Sequence, residues 1–266
     1  MCRLVAYSGE PIYLETQLSD PPRSLIRQSR EARESHWTVN GDGCGVGWYG
    51  NREAPGLYRS VRPAWGDSNL LSICHQLRSP MFAGHIRAAT AGEVATANCH
   101  PFAVGRRLFM HNGYIGGYTR IRRAIEMMIP ADLYRYRKGA SDSEAIFLIA
   151  MGRGMETDPI AAMAQTLSDI VALNADLDHN EPLELAAVHT DGESLWAFRW
   201  ARHHIAPTLY HRAFGSGVVI ASEPYDDQHS EWHAVPEDSV IVVRPDRSME
   251  ISPFLPRQRP ARTASR

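Results

Sequence analysis

Apolar residues recur along the 266-residue chain at two different spacings, and the spacing changes from segment to segment. Runs rich in Val, Ile, Phe, Tyr and Trp predict strands at 2–7, 43–49, 56–62, 81–88, 107–111, 185–190, 195–200, 218–222, 240–244 and 248–251. Apolar positions near helical spacing predict helices at 24–34, 67–77, 118–129, 143–151 and 160–173, the third stopping at Pro130. Strands therefore bracket helices at both ends, and no Pro/Gly/Ser linker divides the chain. One domain is expected over 1–252. Beyond Ile251, Pro253, Pro256 and Pro260 interleave with Arg257, Arg259, Arg262 and Arg266, a mixture too poor in apolar residues to fold, so a disordered tail is expected over 253–266.

Composition narrows the function. A content of 44% hydrophobic and 22% charged residues suits a globular chain with a sizeable core. The formal net charge of -2 leaves no field to hold a polyanion or an anionic membrane, so neither nucleic acid nor membrane is an expected partner. The longest apolar run, 145–151, falls far short of the roughly 20 residues that span a bilayer, and the first residues lack the pattern of a signal peptide. A cytoplasmic setting and reduced cysteines follow as expectations. Among 28 basic residues only Lys138 is a lysine. Gly139 follows it, so no Gly-x4-Gly-Lys-[Ser/Thr] phosphate loop exists, and Schiff-base chemistry would have to use this one side chain in a basic connector.

Several clusters resemble cofactor motifs without their context. Gly45, Gly47 and Gly50 form a Gly-x-Gly-x-x-Gly, but residues 51–56 are turn material where a dinucleotide site needs a helix. Glycines at 41, 43, 45 and 47 instead bare one face of a strand. Either a tight sheet crossing or a ligand or chain end must lie against it. Cys74-His75 and Cys99-His100 lack metal-ligand spacing, and no metal or cofactor is expected.

Cys2 is the sharpest chemical feature. Removal of Met1 would leave its thiol and α-amine on one carbon, and an amine with a pKa of about 8 can serve as general base for the thiol. The competing reading is a small apolar residue opening a strand. A carbonyl attacked by Cys2 needs oxyanion donors, which Asn112 and Gly113 would supply, although Asn-Gly is also a hairpin signal. Arg87, flanked by Ala88, Ala89 and Thr90, suits bidentate carboxylate binding. Ser141 with Glu144 makes a formal capping box, inside which Asp142 would either complement the helix dipole or hold an ammonium.

Taken in order, Met1-Cys2-Arg3, residues 40–49, Arg87-Ala88-Ala89-Thr90, Asn98-Cys99-His100-Pro101-Phe102, Phe109-Met110-His111-Asn112-Gly113 and Ser141-Asp142-Ser143-Glu144 resemble class II glutamine amidotransferases. The stretch from Pro11 through Ser24–Ser29 is most similar to the stand-alone members, among them the amidotransferase subunit of the glutathione-degrading complex and the γ-glutamyl amidohydrolase of ergothioneine biosynthesis. The resemblance implies an α+β, four-layer αββα N-terminal-nucleophile sandwich of two mostly antiparallel sheets. It implies Cys2 as nucleophile with its amine as base, Asn112 and Gly113 as oxyanion hole, Arg87 and Thr90 on the substrate α-carboxylate, and Asp142 with the Gly113 region on its α-ammonium. A γ-glutamyl small molecule is the expected substrate. The second domain of larger members is not expected within these residues, so the expectation is that either a separate acceptor chain takes the ammonia or the enzyme simply hydrolyses. The rival expectation is a non-catalytic or partner-dependent regulatory or binding subunit of the same fold.

Overall fold

The first strand, β1 (Arg3–Tyr13), is buried on both faces from Arg3 to Gly9, as a central strand of a covered sheet must be. The computed structural model describes residues 2–31, 39–89, 93–177 and 181–257. After β1 come α1 (Glu15–Leu18), α2 (Leu25–Gln28), β2 (Cys44–Trp48), β3 (Gly56–Ser60), α3 (Ser68–Gln76), β4 (Arg78–Ile86), β5 (Phe102–Val104) and β6 (Arg107–Ile115). Four helices follow: α4 (Tyr118–Glu126), α5 (Ala131–Tyr134), α6 (Asp142–Gly152) and α7 (Pro159–Asp176). The chain then returns to strands with β7 (Leu183–Thr190), β8 (Leu195–Arg202), β9 (Tyr210–Phe214), β10 (Gly217–Ala221), β11 (His233–Ala234), β12 (Ser239–Val243) and β13 (Met249–Pro253).

These strands form two antiparallel sheets, one ordered β11-β9-β10-β1-β4-β2-β3 and the other β13-β12-β8-β7-β6-β5. Side-chain alternation decides what each face covers. Leu4 and Ala6 of β1 meet Leu108 and Met110 of β6 and Val188 of β7 between the sheets. Val5 and Tyr7 point the other way, onto Leu14, Leu18, Leu25 and Leu70 of the first helical layer. On the far side Phe109, Leu185 and Phe198 pack under α4, α6 and α7. Each fully buried aliphatic or aromatic side chain here contributes about 1.5–3 kcal/mol. The order is helices, sheet, sheet, helices, so the expected αββα sandwich is present. α6 lies deepest: Ser143 to Met151 are all buried, which matches a helix apolar on every side.

Three departures from the expected elements have local causes. Strand β6 does not turn at Asn112-Gly113 but runs on to Ile115 in register with β7, Gly113 opposite Leu185. Gly113 takes φ +151, and a Cβ there would stand 2.0 Å from the Glu184 carbonyl oxygen, so only glycine lets the strand continue. The short β9 hides its apolar pattern behind Arg212, whose guanidinium pairs with Asp226 at 2.7 Å and lies over Trp232 and Phe214. The expected tail at 253 begins instead inside β13: Phe254 is buried against Phe198 at a centroid distance of 5.0 Å, and its N–H donates to Asp238 O. Residues 258–266 lie outside the described residues, as do 32–34 of the expected first helix.

The bared glycine face is filled by protein. Added Cβ atoms at Gly43, Gly45 and Gly47 would meet Cys99 Sγ at 2.6 Å, His100 O at 2.2 Å and Leu108 Cδ1 at 2.7 Å. The sheet crossing is therefore the reason for the glycines. Residues 49–55 after them form a turn into β3, with no helix to receive a dinucleotide.

Candidate active site

Strand parity sends Cys2, Arg87 and Asn112 to the inter-sheet side, in step with Leu4, Ala83 and Met110 of the central core. The two sheets are tied there by His85, whose Nε2 lies 3.3 Å from the His111 carbonyl oxygen. Cys2 precedes the central strand, and its Sγ accepts from Ala88 N at 3.4 Å and donates to Ala88 O at 3.5 Å. Burial pushes its thiol above the ordinary cysteine value; the Ala88 backbone and Arg87 pull it down, and Asp142 pushes it up. Arg87 and Asp142 therefore both act on the sulfur. A thiol so placed rests protonated and needs a base to become a nucleophile.

Arg87 directly follows β4, held by its N–H to Gly43 O at 2.8 Å, while Asp42 Oδ2 accepts Ala89 N at 2.8 Å. The residue is buried, and among the described residues its Nη1 meets the Glu93 carbonyl, at 3.5 Å. Among the described residues no carboxylate forms an ion pair with it. A buried guanidinium without a counter-ion is costly, and a substrate carboxylate would relieve that cost. Asn112 goes further: it is 1% exposed, yet neither Oδ1 nor Nδ2 has a partner among the described residues. Thr90 lies outside the described residues.

Asp142 opens α6 and is half-buried. Its Oδ2 accepts Ile115 N at 2.8 Å and its Oδ1 accepts Ser143 N at 2.8 Å, which joins the end of β6 to the helix start. The capping box is half formed. Ser141 Oγ accepts Ser143 N at 3.1 Å, but Glu144 turns away from Ser141 to accept Lys138 N and Gly139 N and to pair with Arg137 at 2.9 Å. The Ser141 N–H goes instead to Asn98 Oδ1 at 3.2 Å, which also takes Ala140 N at 2.7 Å. The Asn98 amide donates to Glu93 O at 2.9 Å, so one side chain links the Arg87 loop to the helix that carries Asp142.

Three buried histidines back the site, and the sequence reading gave none of them a role. His111 Nε2 stands 3.0 Å from Glu184 O, an acceptor only, so that nitrogen carries the proton and Nδ1 accepts from Ser143 Oγ at 2.9 Å. His85 and His100 stack with centroids 4.1 Å apart. Burial pushes His85 down to about 3 and His100 well below the ordinary histidine value. All three are neutral, which leaves Arg87 the fixed cation beside the thiol. For two of them the signal lay in the motifs themselves, since His85 stands two residues before Arg87 and His111 next to Asn112; His100 has no candidate residue beside it.

A four-layer sandwich of antiparallel sheets with this order is the fold of the N-terminal-nucleophile hydrolases, and within it Arg87 and Asp142 both lie close enough to Cys2 to act on its thiol. Comparison with known proteins makes the class specific. The model of the family described as class-II glutamine amidotransferases matches residues 1–243, and the chain belongs to that family of enzymes. It is 29% identical to the probable glutamine amidotransferase DUG3 of Saccharomyces cerevisiae, over 92% of this chain and 82% of that one. It is 30% identical to the gamma-glutamyl-hercynylcysteine sulfoxide hydrolase of Mycolicibacterium smegmatis, over 96% of this chain and 100% of the other. A solved glutamine aminotransferase class-II domain protein from Silicibacter pomeroyi superposes with a TM-score of 0.75 at 34% identity, covering 96% of this chain and 100% of its own. No helix among the described residues is long and apolar enough to cross a membrane.

Proposed function

We propose that the chain cleaves the γ-glutamyl amide of glutamine or of a larger γ-glutamyl compound through a thioester on Cys2. The observation that carries this is a half-buried, protonated thiol set beside Arg87, a buried guanidinium that pairs with no carboxylate among the described residues, together with Asn112, a buried amide with no partner among them. After removal of Met1 the Cys2 α-amine takes the thiol proton as sulfur attacks the γ-carbonyl carbon. Asn112 Nδ2 and the Gly113 backbone meet the oxyanion, Arg87 holds the α-carboxylate together with Thr90, and Asp142 holds the α-ammonium. The C–N bond then breaks, the amine's proton passes to the leaving nitrogen, and water attacks the thioester to release glutamate and free thiol. Names of the relatives support both kinds of leaving group, ammonia and a larger amine. A cytoplasmic enzyme, hydrolysing its substrate alone or passing ammonia to a separate acceptor chain, is part of this reading.

The test is glutamate release from glutamine, glutathione and other γ-glutamyl amides, with intact mass read on the protein. Cys2→Ala should abolish turnover with thermal unfolding unchanged, and Cys2→Ser should cripple it. Full activity in Cys2→Ala, or active protein that retains Met1, would overturn the mechanism. No release from any amide and no adduct with a reactive glutamine analogue would make the chain a non-catalytic subunit.

A further inference from the structure

The residue beside the nucleophile carries a charge that the reaction does not use. Arg3 opens β1 fully buried, and its Nη2 stands 3.5 Å from Oε2 of Glu223, itself 1% exposed. The second Glu223 oxygen accepts from Arg23 Nη2 at 2.7 Å. Burying such charges strips their water, and an apolar set of similar volume is often as stable or more so. Stability alone is a weak reason for the arrangement.

Its position supplies a better one. The ladder between β1 and β10 stops at Val5 opposite Ala221. Beyond that pair one backbone bond remains, Ser222 N–H donating to Leu4 O at 3.0 Å, and side chains do the rest: Leu4 N–H donates to Ser222 Oγ at 3.1 Å, and Glu223 then reaches Arg3. Ser222 is fixed in turn by Thr208 Oγ1, which donates to its carbonyl at 2.8 Å. Arg23 is anchored through its own N–H to Tyr225 O at 3.0 Å. A chain start frays unless it is tied down, and a nucleophile on the first residue gains from whatever holds the second.

We propose that Glu223, acting through Arg3 and braced by Arg23, is a positioning residue for the N-terminal nucleophile, holding the peptide that carries Cys2 so that thiol and amine face the oxyanion pocket. The inference rests on the reading of Cys2 as nucleophile. A set of Glu223→Gln, Arg3→Met, Arg3→Lys and the double variant Arg3→Met/Glu223→Gln tests it. The probe is a diazoketone analogue of glutamine: Cys2 sulfur bonds to the diazo carbon, the thiol proton ends on that carbon, and dinitrogen leaves. The readouts are the rate of this alkylation by intact mass, the inhibition constant of glutamate and thermal unfolding.

The double variant, which leaves neither partner of the pair buried alone, should unfold within a few degrees of wild type. Its alkylation should slow about tenfold or more, the scale of a small misplacement of a reacting group, with glutamate binding changed less than about twofold. Arg3→Lys should fall between the two. Wild-type alkylation in the double variant, or a loss of rate matched by an equal loss of glutamate binding, would show a pair that serves folding alone. Should the double variant not fold, unchanged alkylation in Arg3→Lys overturns the proposal. A wild-type protein that reacts no faster than Cys2→Ala would remove the nucleophile itself, and this inference with it.

Discussion

Asn112 is held against its own solvation. A buried amide with both polar atoms unpaired costs about 1–3 kcal/mol, and the fold returns nothing for it. The same side chain offers the proposed reaction a donor that is already desolvated and aimed. These two facts separate stability from activity. Asn112→Leu, close in volume and apolar, should unfold at or above the wild-type temperature. Its kcat on a γ-glutamyl amide should fall about 10²–10³-fold with KM little changed, the size of one lost oxyanion donor. Scanning calorimetry beside steady-state kinetics decides it, and a variant that is both unstable and active would assign Asn112 to the core.

Two elements, β6 and α6, bring the donor pair and Asp142 together, and they do so by side chains that reach out of regular structure. The His111 ring spans from Glu184 O to Ser143 Oγ, and Asp142 takes Ile115 N. Asn98 then ties the incoming connection of α6 to the Arg87 loop through Ala140 N, Ser141 N and Glu93 O. Asn98→Ala loses three bonds worth about 1 kcal/mol each, so it should cost about 3 kcal/mol in stability, and it should raise KM for a γ-glutamyl amide about tenfold. Asn98→Asp keeps the acceptor for α6 and loses the donor to Glu93 O, so its KM should lie between. Equal KM in all three proteins would mean that the link does not position Asp142. Such links also mark where the sequence is silent. Periodicity reveals α6, because its apolar run has no polar face to hide, and it reveals most central strands. It misses β5 and β11, which are too short to carry a period, and it misreads Asn112-Gly113 as a possible turn because the β7 residues that straighten it, Ala186 and Leu185, are more than seventy residues away. Cys2, Arg87, Asn112 and Asp142 are legible as residue types, whereas Asn98, Glu223 and the histidines act only through partners distant in the chain.

Across the whole molecule, neutral imidazoles inside the sandwich set how stability must follow pH. His85 lies in the seam, with burial as the main cause of its fall to about 3. His189 lies on the other face of the second sheet, stacked on Trp196, its Nδ1 3.2 Å from Leu108 O. Burial pushes it down to about 4, against a smaller upward pull from Asp191. In the unfolded chain both return to about 6.5. Between these values the unfolded state binds protons that the folded state refuses, so unfolding free energy rises with pH there and levels off above about 6.5. Moving down, each group removes about 2 kcal/mol by pH 5, and the two remove about 4 of the 5–15 kcal/mol typical of a domain. His100 adds in the same direction. Denaturant unfolding at pH 7.5, 6 and 5 should therefore show a steep loss before the carboxylates titrate. His189→Asn keeps a donor near the Nδ1 position and cannot gain a proton, so it should lower the slope between pH 6 and 5 by one proton without touching the candidate site. A wild-type slope near zero in that window would mean that these imidazoles are charged or solvated in the folded protein, and the neutral backing of Arg87 and Cys2 would fall with it.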